Sequence, residues 1–138
     1  MSIVKLIQEA VVSSLSELHG TAFSEKDFQI NQTKPEFEGD YTVVLFSLVK
    51  SLRQSPEQIG NTLGDNLLKN HSELFTSFNI IKGFLNLTVS DTYWISLLKK
   101  NHNDICYGKQ AMNGKKVMVE YSSPNTNKPL HLGHLRNN

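Results

Sequence analysis

Apolar residues recur at helical spacing from the start of the chain. Ile3, Leu6, Ile7, Ala10, Val11, Leu15 and Leu18 fall on one stripe, and Gly20 follows as a stop, which predicts a first helix. Phe28 and Ile30 alternate with Gln29 and Asn31, the period of a short strand. Thr33 to Gly39 is polar, contains Pro35 and reads as a loop. A second helix is predicted to open at Gly39-Asp40, with Asp40 as N-cap and Tyr41, Leu45, Leu48, Val49 and Leu52 on one face. Val43, Val44 and Phe46 crowd its other side, which keeps a strand over 41–46 open. Ser55-Pro56-Glu57-Gln58 is a capping box with proline at the first helical position, and Ile59, Leu63 and Leu67 form the inner face that follows.

From Phe75 the period changes to two. Phe78 and Ile80 alternate with Asn79 and Ile81 up to a Lys82-Gly83 turn, and Phe84 to Val89 returns as the second strand of a hairpin. Leu85, Leu87 and Val89 point one way; Phe84, Asn86 and Thr88 point the other. Ser90 or Asp91 caps a last helix with Trp94, Leu97 and Leu98 inward, and the Asn- and Gly-rich stretch 101–114 reads as a linker. Residues 1–110 are thus predicted to form a small α+β domain, an antiparallel sheet with helices packed on one face.

Residues 111–138 have a different character. Val117 to Tyr121 reads as a short buried strand of a parallel sheet. Pro124 and Pro129 hold off a helix until the tetrad His131-Leu132-Gly133-His134. Strand, polar turn and helix start form a nucleotide-binding pattern, in which ligands lie beyond the carboxyl end of the strand. His131 and His134, three apart, share a helical face, and Gly133 lets a flat base or ribose approach the backbone. A His-x-x-His pair can also bind zinc, but such a site needs three or four ligands, and the only cysteine, Cys106, lies well upstream.

The string from Glu120 to Arg136, with Ser-Pro-Asn, Lys128-Pro129 and His131-x-Gly133-His134 at fixed offsets, resembles the class I aminoacyl-tRNA synthetases, and the arginyl-tRNA synthetases in particular. It departs from their usual pattern at Asn127, where alanine is common, and at Asn137, where serine is. The resemblance implies that His131, Gly133, His134 and Lys128 bind ATP. The two histidines and the lysine would stabilise charge on the phosphates during adenylation. It further implies that Glu120, Ser123 and Asn125 hold arginine. These synthetases carry an additional N-terminal domain, and Glu38-Gly39-Asp40-Tyr41 and Lys82-Gly83-Phe84-Leu85-Asn86 resemble short strings within it. By that resemblance Phe84 and Asn86 touch the D-loop of tRNA, an aromatic stacking on an unpaired base beside an amide that reads its edge. The same parity also allows Phe84 as core and Asn86 as a turn residue.

Composition narrows the rest. With 38% hydrophobic and 20% charged residues the chain is ordinary globular protein, and no apolar run reaches the ~20 residues of a membrane span. One cysteine, and an N-terminus without a signal peptide, fit a cytoplasmic protein. The net charge of +1 hides an asymmetry: residues 1–98 hold seven Lys/Arg against eleven Asp/Glu, and residues 99–138 seven against two. The expectation is an N-terminal part of a monomeric enzyme that ligates arginine to tRNA through an adenylate. Its substrates would be ATP (with Mg2+), arginine and tRNA, with no tightly bound cofactor, no metal site and no membrane partner. Residues 111–138 would be the first strand and HxGH turn of a truncated Rossmann-like catalytic domain, and a chain of this extent would be inactive alone. A self-standing RNA- or protein-binding module is the competing reading.

Overall fold

The computed structural model describes residues 2–118, 127–129 and 131–137. Its first helix, α1 (Ile3–His19), follows the apolar stripe: Ser2 caps it by accepting from the Lys5 N–H, and Gly20 closes it in the left-handed region. Ile7, Ala10, Val11 and Leu15 are buried. Strands β1 (Gln29–Gln32) and β2 (Tyr41–Val44) follow, then helices α2 (Phe46–Leu52) and α3 (Pro56–Asn70). The hairpin β3 (Phe75–Ile81) and β4 (Phe84–Val89) leads into α4 (Asp91–Asn101). The four strands make one antiparallel sheet in the order β1-β2-β4-β3.

Register divides the sheet into two faces. Ile30, Val43, Leu85 and Ile80 align across the strands on the covered face, where α3 packs against β3 and β4 and α1 packs on α3. Leu63 and Leu67 of α3, Val11 and Leu15 of α1, and Leu85 and Leu87 of β4 are all fully buried there. The α3 helix lies unusually close. A Cβ on Gly60 would stand 2.7 Å from the Ile80 side chain, and one on Gly64 2.6 Å from the Phe78 ring. Gln58 and Ser55 close the capping box that fixes where this helix starts.

Three expectations are corrected. The helix predicted from Asp40 begins only at Phe46, because Tyr41–Val44 is taken into the sheet between β1 and β4. Asp40 caps nothing there; its carboxylate accepts the Val89 N–H at 2.8 Å, at the end of β4. On α4 the inward residues are Tyr93, packed against the core, and half-buried Leu97. Trp94 and Leu98 follow each by one residue and so are rotated outward, Leu98 to 67% exposure. Ser90 rather than Asp91 is the cap.

The chain divides into two compact units, Met1–Asp104 and Ile105–Asn138. In the second, Val117 and Met118 lie in no strand and are 77% and 89% exposed, unlike the buried start expected of them. A lone strand of a parallel sheet has no neighbours to bury its sides. The rest of that expected strand, 119–121, falls outside the described residues. A short helix, α5 (Leu132–Asn137), begins within the HxGH tetrad. Among the described residues no helix is long and apolar enough to cross a membrane.

The close approach of α3 generates a stability test. Gly64→Ala should cost about 1–3 kcal/mol, the usual scale of overpacking, despite alanine's higher helix propensity. Urea denaturation checks it; a stabilised variant would mean that α3 does not rest on Phe78.

Candidate nucleic-acid interface

Among the described residues the helix layer of α1 and α3 lies on one face of the sheet, and the second face carries a different sequence pattern. One cross-strand row there is polar throughout: Asn31, Thr42, Asn86 and Asn79 align from β1 to β3. The next row holds Gln29, Val44, Phe84 and Ile81. The polar row is stitched together by side chains. Thr42 Oγ1 donates to Asn86 Oδ1 at 2.6 Å, and Asn86 Nδ2 donates to Asn79 Oδ1 at 2.8 Å. Asn79 Nδ2 in turn donates to the Glu38 carbonyl at 2.8 Å, and Thr33 and Thr42 hydroxyls stand 3.0 Å apart.

The last contacts belong to the loop between β1 and β2, which folds back against this row. Thr33 N–H donates to the Asp40 carbonyl, and Asp40 N–H to that of Leu87. Gly39 has φ +118°, and a Cβ there would lie 3.1 Å from the Asn86 Cβ and 3.3 Å from the Leu87 carbonyl. Glycine is required twice over, by its backbone angle and by its neighbour. Asn86 is accordingly only 1% exposed, not the open amide that strand parity suggests.

Phe84 behaves differently. It is 38% exposed, and its inner edge meets the Phe46 ring edge-to-face with centroids 5.4 Å apart. The turn before it is of the tight hairpin kind, with Lys82 at φ 50° and Gly83 at φ 82°. Phe46 also lies across Gly83, where a Cβ would collide at 2.5 Å. The turn brings Lys82 to the edge of a concavity of about 440 Å3 that Phe84, Asn86, Thr42 and Asn31 line, with Lys34 and Phe37 of the loop on the other side. Phe37 is 37% exposed. Two aromatic rings and two lysines around a mainly apolar lining suit a flat, anionic ligand such as a nucleotide in a single strand.

The residues expected to serve ATP and arginine lie in the second unit. His131 directly precedes α5, and its Nδ1 accepts the Gly133 N–H at 3.1 Å, so in the neutral ring the proton is on Nε2, a donor. A Cβ on Gly133 would meet the His131 ring at 2.8 Å, so in this structure glycine makes room for that ring. Lys128 is exposed. Glu120, Ser123 and Asn125 lie outside the described residues, as does the side chain of His134. Among the described residues no group of three His, Cys, Asp or Glu side chains could hold a metal.

Comparison with known proteins assigns both parts. The family model described as the arginyl tRNA synthetase N terminal domain matches residues 5–89, more than half of the chain. The chain belongs to the arginyl-tRNA synthetase family. The family's class I catalytic domain model matches residues 96–138, beginning inside α4. Arginine–tRNA ligase of Bacteroides fragilis is 46% identical over 140 residues, and that of Porphyromonas gingivalis 44%. The alignments cover all of this chain and 23% of those proteins, so it spans about a quarter of their length. The solved arginyl-tRNA synthetase of Thermus thermophilus matches 96% of this chain and 21% of its own, with 29% identity and a TM-score of 0.54.

Both short strings that carried the arginyl-tRNA synthetase resemblance in the first unit converge on this one face. Thr42, Asn79, Lys34 and Phe37 were not singled out by sequence, since their roles depend on the β2–β4 register. The burial of Asn86 yields a stability test. Asn86→Ala strands the Thr42 hydroxyl and the Asn79 amide, each worth roughly 1–3 kcal/mol when left unpaired. Phe84→Ala, at a partly exposed site, should cost less than the roughly 3–5 kcal/mol of a buried phenylalanine. Denaturant titration should rank Asn86→Ala the more damaging; the reverse order would mean that the polar row is not formed.

Proposed function

We propose that this chain is the N-terminal part of an enzyme that ligates arginine to its tRNA through arginyl-adenylate. In this reading the open sheet face of the first unit holds the tRNA at its D-loop. The observation that carries it is the concavity lined by the exposed rings of Phe84 and Phe37 together with Lys34 and Lys82. An unpaired base stacks on an exposed ring and meets polar groups at its edge, while the lysines lie within reach of the flanking phosphates. Family membership supplies the substrate class.

The catalytic share of the chain is small. His131 and His134 would donate to the α-phosphate of ATP as charge builds there, with Lys128 near the other phosphates and the accompanying Mg2+. Glu120, Ser123 and Asn125 would hold arginine. The Nε2 proton of His131 fits such a donor. An isolated chain of 138 residues, matching only 43 residues of the catalytic domain model, should not charge tRNA.

Two measurements on the full-length synthetase test this. Phe84→Ala should weaken tRNA binding by about 1–3 kcal/mol, the scale of one base–aromatic stack; unchanged tRNA affinity would remove the face from the account. His134→Ala should slow adenylation more than it weakens ATP binding, because a donor aimed at developing charge acts in the transition state. Equal losses would assign His134 to ground-state binding.

A further inference from the structure

We infer that Phe46 is a positioning residue for the tRNA contact, which holds the Phe84 ring in the attitude a base stacks on. The inference rests on the reading of this face as the tRNA site. Phe46 is the first residue of α2 and is 50% exposed. Leu45 before it and Leu48 after it are buried and anchor the start of the helix in the core. Each residue along a helix turns by about 100°, so Phe46 faces away from that anchor. Core packing therefore does not explain a large apolar ring here. The surface that Phe46 does bury lies against the β3–β4 turn and the Phe84 ring.

The turn fixes Phe46, and Phe46 fixes Phe84. A Cβ on Gly83 would stand 2.5 Å from Phe46 Cζ and 2.7 Å from its Cε1, so the ring rests directly on the turn backbone. On its other side it meets Phe84 with centroids 5.4 Å apart and planes crossing at 85°. That arrangement is favourable because the positive edge of one ring meets the negative face of the other. It is not a stack, so Phe46 limits how Phe84 can tilt and still leaves it a face for a base.

A ring as exposed as Phe84, at 38%, would otherwise visit several rotamers, and binding that must immobilise a mobile side chain loses affinity. The wedge orders the ring before tRNA arrives. Phe84 and Lys82 line the concavity, whereas Phe46 stands behind them and is not part of its lining. Phe46 thus acts through Phe84 and not on the base. The turn has a separate tie, the Leu45 N–H donating to the Gly83 carbonyl at 3.2 Å. Truncating the Phe46 side chain leaves that bond in place, so Lys82 keeps its position and the loss falls on Phe84.

A double-mutant cycle in the full-length synthetase tests this. Phe46→Ala should raise the Kd for tRNA roughly three- to tenfold, the range one aromatic pair is worth, with the loss in KM for tRNA rather than in kcat. Phe46→Tyr keeps the ring and should stay within about twofold of wild type. Added to Phe84→Ala, Phe46→Ala should change Kd by less than about twofold, because the ring it steers is gone. The inference is overturned, while Phe84→Ala remains defective, by any of these results: wild-type Kd in Phe46→Ala, a loss confined to kcat, Phe46→Tyr as weak as Phe46→Ala, or a further loss of about twofold or more in the double variant. Wild-type tRNA affinity in Phe84→Ala instead overturns the reading beneath it, and the inference with it.

Discussion

The alternation along β4 is the constraint on which the rest depends. Leu85, Leu87 and Val89 are buried under the helices, and a strand with a period of two must then turn Phe84, Asn86 and Thr88 to the other side. β4 is an inner strand, paired with β2 and β3, so these side chains stand in the middle of the face opposite the helix layer. The helix layer fixes the register through its own close packing, with Gly60 and Gly64 letting α3 lie directly on Ile80 and Phe78. A slip of one residue would put Asn86 into the apolar core and Leu85 into water. Core packing and the proposed ligand contact thus both depend on one pattern.

That division explains what could be read from the sequence. The α1 and α3 boundaries were legible because their signals are local: apolar residues at helical spacing, a capping serine, a glycine stop, a capping box. The hairpin and the parity of β4 were legible for the same reason. Tyr41–Val44 was legible only as one of two alternatives, helix or strand, since its apolar run serves a strand paired on both sides and the helix begins only afterwards. The burial of Asn86 was not legible either. It follows from contacts with Thr42, 44 residues away in the chain, and from Gly39 pressed against its Cβ. Parity gives the direction of a side chain; what lies over it depends on a loop placed by the whole sheet. In the second unit the tetrad was legible as a motif, and α5 starts within it, while Val117 and Met118, the described start of the expected strand, lie in none.

If the first unit contacts tRNA as proposed, its charge constrains how it can do so. Residues 1–98 carry a net −4, so a general attraction to phosphate cannot supply most of the affinity there. What this face offers is local: Lys34 and Lys82 beside a mainly apolar concavity that the partly exposed rings of Phe84 and Phe37 line. A single stacking contact adds local affinity without a broad basic surface. Such a surface suits a contact that checks one feature of a partner held mainly elsewhere. The excess of basic residues after position 98 is in keeping with that division of labour.

The central claim is that tRNA meets the face of the sheet opposite the helix layer. Backbone hydrogen exchange in the full-length synthetase, with and without tRNA, addresses it most directly. The account predicts added protection on tRNA binding in the loop carrying Lys34 and Phe37 and across the Lys82–Gly83 turn, with α1 and α3 unchanged. Protection confined to the exposed surface of α1 or α3, with the loop and turn unaffected, would contradict it.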